Sequence, residues 1–187
     1  RSDYLRGFGY QGGASRNMNW NGDGIGSELK EQMTGPGDWS FWLGSWGEQL
    51  PHPDNRVTLS KTEKDKWGLP VLAMDAELKE NEMKMRSAIK EELKEMFNAA
   101  GVKNVHDWDS GHAIGHGIHE MGTARMGNDE KTSVLNKHNQ VWDAKNVYVT
   151  DGACMTSSSC VNPSLTYMAF TARAADHAFN ELNKQNL

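Results

Sequence analysis

Cysteine is almost absent: among 187 residues only Cys154 and Cys160 occur. That excludes a framework stapled by several disulfides. The lone C-x5-C spacing matches no metal motif, so a single disulfide, a metal pair and two buried thiols are all open, with buried free thiols preferred. No run of about 18 apolar residues exists, so nothing here is read as spanning a membrane. Concentrated positive charge is also missing. The formal net charge is −5 and the basic residues are interspersed with acidic ones, which argues against a nucleic-acid-binding face. No internal repeat is visible. No G-x-G-x-x-G follows a strand; Gly22-Asp23-Gly24-Ile25-Gly26 lacks both the preceding apolar strand and the spacing. Apolar residues make up 37%, low for a self-sufficient domain and in keeping with a part-domain or a loop-rich one.

The order of elements emerges from punctuation and periodicity. Residues up to Gly47 are rich in Gly, Trp and Asn and read as strands and long loops. Asn55 to Ser60 has a strand pattern after a Pro-x-Pro-Asp-Asn turn. Lys61 to Lys66 reads as a charged connector, and Trp67-Gly68-Leu69-Pro70 turns into a strand at Val71–Met74. From Asn81 to Ala100, Met85, Ile89, Leu93, Met96, Phe97 and Ala100 fall on one helical face. Asn81 is the expected cap and Gly101 the expected stop. Asn146–Thr150 is expected as a strand and Asp151-Gly152-Ala153 as a turn. A helix from Pro163 follows, with Leu165, Met168, Ala169, Ala172, Ala175 and Phe179 along its apolar side.

Two segments carry chemistry. One is His119-Glu120-Met121-Gly122-Thr123-Ala124-Arg125-Met126-Gly127. The other is Asp151-Gly152-Ala153 followed by Asn162-Pro163-Ser164-Leu165-Thr166. Imidazole suits removal of a hydroxyl proton because it titrates near neutrality. Asparagine can accept from or donate to an alcohol oxygen without competing for its proton. A helix N-terminus opening at Pro163 offers free N–H groups and a positive dipole end to developing negative charge.

In order, separation and placement, these segments resemble the closing signature of the glucose–methanol–choline (GMC) oxidoreductases: H-x-x-G-T-x-R-M-G, then a strand ending D-G-S/A, then N/H-P-x-x-T. Glu48, Pro51, Asn55-Arg56-Val57, Leu59-Ser60, Asp65, Gly68 and Pro70 are similar to that family's substrate-domain strands. The resemblance implies an α+β chain. Residues 1–108 would form part of the substrate-binding domain and 109–187 a catalytic segment returning to the FAD-binding domain. It implies FAD as cofactor, with the main binding fold in an N-terminal part outside this sequence, so the chain is expected to be a fragment and inactive alone. His119 and Asn162 are implied as catalytic residues, and Asp151, Gly152, Ala153, Pro163 and Ser164 as flavin contacts. The wording around Asp151 and Asn162 looks most like bacterial glucoside 3-dehydrogenases and the gluconate 2-dehydrogenase large subunit. The implied reaction oxidises a glucoside ring hydroxyl to a ketone, with electrons leaving to a haem subunit, a quinone or another small carrier.

Other readings stand beside this one. A GMC alcohol oxidase would instead release hydrogen peroxide. His112, His116 and His119 with Glu120 invite a metal-dependent hydrolase, but Gly111, Gly115 and Gly117 make a poor helix and H-E-x-x-H is absent. On this reading the chain holds no metal, and His116 is a further polar group lining the cleft. Trp20, Trp39, Trp42, Trp46 and Trp67 would also serve a non-catalytic carbohydrate-binding module or a sugar-stacking surface. Burial in a sheet core is the preferred expectation for them. The first residue is Arg1, so the natural start is expected upstream. The compartment, periplasmic or cytoplasmic, stays open.

Overall fold

The computed structural model describes residues 3–18, 24–112 and 114–187; Trp20, Gly22 and Asp23 lie outside them. The architecture is α+β: two antiparallel hairpins and three helices. In element order these are β1 (Phe8–Met18), α1 (Ser27–Thr34), β2 (Pro36–Gly47), β3 (Arg56–Lys64), β4 (Pro70–Asp75), α2 (Glu80–Ala99) and α3 (Ser164–Asn183). The two sheets are separate, β1 with β2 and β3 with β4. The charged tract from Lys61 is not a connector, because β3 continues through it to Lys64, where Lys64 pairs with Pro70. An alternating strand exposed on both faces accepts charge without desolvation cost, so composition hid it.

α2 starts and ends one residue earlier than expected. Its first turn is capped by Glu82, whose Oε2 accepts the Lys79 N–H at 3.0 Å. Asn81 is used elsewhere: its Oδ1 accepts the Leu5 N–H at 2.7 Å. Burial pushes the Glu82 carboxyl up, but hydrogen bonds from the Leu50 amide, the Asn81 side chain, the Lys79 amide and His52 together hold it below its usual range. Gly101, at φ 71°, ends the helix as expected. Along the predicted apolar face Met85 is buried, Ile89, Leu93 and Phe97 are half-buried, and Met96 and Ala100 are exposed.

The β1–β2 ribbon has two distinct faces. Residues directly opposite in an antiparallel ladder project to the same side. Phe8 pairs with Gly47, Tyr10 with Ser45 and Arg16 with Trp39, while Gly9 pairs with Trp46, Gln11 with Gly44, Gly13 with Trp42 and Ser15 with Ser40. The first set turns toward α2, where a Cβ on Gly47 would sit 2.6 Å from Met85 Sδ. The second set turns the other way, and a Cβ on Gly9 would sit 3.0 Å from Cys160 Sγ. Both glycines are therefore close-approach positions. The tryptophans are not buried as expected: Trp39 and Trp42 are each 61% exposed, Trp46 42% and Trp67 74%. Among the described residues no further layer covers the face of this ribbon that carries Trp42 and Trp46.

Asn146–Thr150 does not form a strand in a sheet. Only Tyr148 bridges, to Gln140, and Val149 N donates to Asn139 O at 3.0 Å. The segment folds against its own neighbour, residues 136–141, rather than along a longer partner. Leu135, Asn139, Cys154 and Ala174 form its buried centre. Asn139 Oδ1 accepts from Arg173 Nη2 at 2.8 Å, and its Nδ2 donates to Val149 O at 3.0 Å. Among the described residues no helix is long and apolar enough to cross a membrane. The chain exposes 13964 Å², against about 9,000 Å² for an independent globule of the same mass. Most of its order thus comes from laced loops and hairpins rather than a large core.

Candidate functional site

The two motifs singled out in sequence meet in space. Glycine 152 begins a short 3-10 turn, Gly152–Cys154, whose entry is capped by Asp151: its Oδ1 accepts the Ala153 N–H at 3.0 Å. The His119–Gly127 segment runs alongside this turn. Gly122 N donates to Gly152 O at 3.4 Å, Ala124 N to Ala153 O at 3.0 Å and Met126 N to Cys154 O at 2.9 Å. α3 joins through Tyr167, whose hydroxyl lies 3.5 Å from Met121 Sδ. A Cβ at Gly152 would lie 2.9 Å from Glu120 O, 2.9 Å from Tyr167 Oη and 3.0 Å from Met121 Sδ. Gly152 is thus filled by the chain's own atoms, and its lack of a side chain is what lets the three pieces touch.

His119 is half-buried on this loop, immediately after Ile118, which has φ 56° and is 86% exposed. A β-branched residue in the left-handed region is uncommon and costs energy. The turn before it is tied by Glu120, whose Oε1 accepts the Gly117 N–H at 2.9 Å. Asn162 is exposed, Pro163 is buried and Ser164 is exposed as the first residue of α3. Asn162 is not the helix cap; Pro163 takes that position, and its carbonyl accepts the Tyr167 N–H at 3.1 Å. The Asn162 side chain is accordingly not committed to capping. The first-turn N–H groups of Ser164, Leu165 and Thr166 have no intrahelical acceptor by construction.

These features suit a flavin. The start of α3 is open, with Leu165 79% exposed beside Ser164, and an anion or electron-rich ring edge can approach its donors. On the 3-10 turn the carbonyls of Gly152, Ala153 and Cys154 already accept protein N–H groups. The exposed carboxylate of Asp151 is then the turn's outward-facing group. The Asp151 turn and the His119–Gly127 segment are laced backbone to backbone, and α3 reaches them through the Tyr167 side chain.

The histidine-rich stretch before His119 is a loop. His112 and His116 stack, with centroids 5.0 Å apart and planes 8° from parallel. Among the described residues no cluster of three or more His, Cys, Asp or Glu converges as a metal site would require. The loop's entry is anchored on α2. Asp109 accepts the Gly111 N–H at 3.0 Å, pairs with Arg86, and lies 3.3 Å from Lys90; Asp107 lies 3.2 Å from Lys94. The Gly111 amide first, and the Arg86 guanidinium next, draw the Asp109 carboxyl down to about 2.

Several packed residues carried no signal in the sequence. His138 and His177 stack at 4.0 Å, and Tyr148 Oη lies 2.9 Å from His177 Nδ1. Burial, then the neighbouring His177, Lys137 and Arg173, lower the basicity of His138. Both cysteines are free. Cys154 is buried, as expected, whereas Cys160 is only half-buried. Burial pushes the Cys154 thiol up, against a hydrogen bond with Asn139 that lowers it.

Comparison with known proteins identifies the family. Residues 51–171 match the C-terminal family model described as GMC oxidoreductase. The chain is 37% identical over 132 residues to 2-methyl-1,2-propanediol dehydrogenase of Mycolicibacterium austroafricanum, covering 71% of this chain and 24% of that protein. It is 31% identical to the fructose dehydrogenase large subunit of Gluconobacter japonicus, covering 73% and 25% respectively. It is 33% identical to paromamine 6'-oxidase of Streptomyces fradiae, covering 71% and 24%. The chain spans about a quarter of the length of these curated relatives. GMC oxidoreductases are FAD-dependent and act on alcohol or sugar CH–OH donors. The chain belongs to the GMC oxidoreductase family and carries its C-terminal domain.

Proposed function

We propose that this chain supplies the alcohol-handling side of an FAD-dependent dehydrogenase that oxidises a ring hydroxyl of a sugar or glucoside to a ketone. The supporting observation is the junction at Gly152, where the His119 loop, the Asp151 turn and the first turn of α3 are held in mutual contact. His119 removes the hydroxyl proton. Asn162, exposed and uncommitted to the helix cap, hydrogen-bonds the same oxygen and orients the carbinol carbon. Bound FAD supplies the two-electron acceptor. The N–H groups at Ser164 and beyond would hold the electron-accepting part of the flavin through their positive dipole end, and Asp151, Gly152 and Ala153 would contact the rest of the cofactor. The main FAD-binding fold comes from outside this chain, so the chain alone is inactive. Electrons then leave to an acceptor other than oxygen, such as a haem subunit or a quinone.

In the full-length flavoprotein, rapid-mixing absorbance of flavin reduction tests these roles. His119→Ala is expected to slow reduction by roughly 10²–10⁴-fold, the usual scale for losing a general base. Asn162→Ala is expected to cost less. Near-normal reduction by the His119 variant refutes the assignment. The likeness to an oxidase makes oxygen the competing acceptor, and peroxide formation at a rate matching turnover would favour it.

A further inference from the structure

The backbone leading into His119 is bent against its own preference. Of the five described non-glycine residues at positive φ, Arg6, Asn104, Ile118, Asn139 and Gln185, only Ile118 is β-branched. The left-handed positions around it, Gly111, Gly115 and Gly122, are all glycine. Crowding at Cβ makes this region unfavourable for L-residues, and most so for branched ones. Packing of the Ile118 side chain does not hold it there, since that residue is 86% exposed. A different contact keeps residue 118 left-handed.

Glu120 makes that contact. Its Oε1 accepts the Gly117 N–H at 2.9 Å, a charge-assisted bond that closes a ring across Ile118 and His119. The backbone of Glu120 is fixed on the other side. A Cβ on Gly152 would come 2.9 Å from Glu120 O, and Gly122 N donates to Gly152 O at 3.4 Å. Glu120 is therefore seated on the Asp151 turn through its main chain and reaches back past His119 with its carboxylate.

We propose that Glu120 is a positioning residue for the oxidation: by holding the Gly117 amide it keeps Ile118 left-handed, and this sets the direction in which the His119 imidazole leaves the backbone. The proposal rests on the reading of His119 as the group that takes the hydroxyl proton. Proton transfer needs the base within hydrogen-bond reach of the hydroxyl, so a change of backbone direction one residue earlier carries it out of range. Without the bond, Ile118 relaxes toward negative φ, and only the fraction of molecules still left-handed reacts. The role is one of acceptor geometry, so an uncharged acceptor of the same length serves.

The test is the limiting rate of flavin reduction in the full-length flavoprotein, with variants compared at equal bound flavin. Glu120 is exposed, so its replacement removes the bond without opening a core. Glu120→Ala should lower the limiting rate about 5- to 30-fold, the factor by which left-handed backbone is disfavoured at an ordinary residue. The apparent Kd of the alcohol should change little, since Asn162 still meets the hydroxyl. Glu120→Gln, whose amide oxygen accepts the same N–H, should stay within about threefold of wild type. In the Glu120→Ala background, Ile118→Asn should restore most of the rate, because asparagine enters the left-handed region far more readily than a branched residue. If His119→Ala slows reduction and Glu120→Ala does not, positioning by Glu120 is wrong while the role of His119 stands. If Glu120→Gln is as slow as Glu120→Ala, the charge matters and not the bond geometry, which overturns the proposal. Failure of Ile118→Asn to restore the rate overturns it as well. If His119→Ala reduces flavin at the normal rate, the reading of His119 fails and Glu120 has nothing to position.

Discussion

Gly152→Ala is the sharpest probe of the junction. The position is not in the left-handed region, so alanine carries no backbone penalty there, and its smaller unfolded-state entropy alone would stabilise by about 0.4–1 kcal/mol. Sterics oppose this. The added methyl would meet Glu120 O and Tyr167 Oη at 2.9 Å and Met121 Sδ at 3.0 Å, and one of the three is backbone that cannot rotate aside. Overpacking of this kind costs about 1–3 kcal/mol, so the net change is destabilising. The strain falls on the bonds that lace residues 122–126 to 152–154. Amide hydrogen exchange in the full-length protein reads it at the Ala124 and Met126 N–H groups. Their exchange should accelerate by up to about 80-fold, the factor that a net cost of about 2.6 kcal/mol corresponds to. Adding Tyr167→Phe, which removes one of the two 2.9 Å contacts, should recover part of the protection. If Gly152→Ala left both amides as protected as wild type, the three segments would not be in contact through this residue.

Three further outcomes follow from separate observations. Ser164→Asp places an anion at the first turn of α3 and should lower the flavin reduction potential in the full-length protein, whereas Ser164→Ala should be mild; an unchanged potential in a redox titration would separate this helix from the cofactor. The Asp109 carboxyl is depressed to about 2 in the folded chain, below an unfolded value of about 3.9. Its contribution is therefore full above about pH 4 and lost as pH falls toward 2. The Gly111 amide resonance should move through that window, and Asp109→Asn should abolish the movement. Thiol labelling of folded protein should modify half-buried Cys160 well before buried Cys154; equal rates would contradict the packing around Cys154.

The sequence made some of this legible for physical reasons. α2 was readable because a 3.6-residue apolar period and a terminal glycine are local signals. The pairing of residues 122–126 with the turn at Gly152–Cys154 is suggested in sequence only by two short motifs that keep their order and spacing. The cap of α2 was misassigned because Asn81 and Glu82 are both capable acceptors; which is used depends on Leu5, 76 residues away. The charged half of β3 was hidden by its solvation. Asn139, fully buried between Arg173 and Val149, carries no signal in the sequence, since asparagine is ordinarily exposed. Nothing local announces that Cys160 meets Gly9, since that contact joins the two ends of the chain's fold.

The opposed keyholes at Gly9 and Gly47 set a rule of parity. Side chains alternate along a strand, so removing one residue between Leu43 and Trp46 sends Trp42 toward α2 and Leu43 toward the Cys160 side. Removing two keeps every indole on its own side and only shortens the distance from Trp42 to the Cys160 contact, by about 7 Å. Length variation in this ribbon is therefore tolerable in even steps and disruptive in odd ones. An even deletion would leave the ribbon's seat on α2 intact.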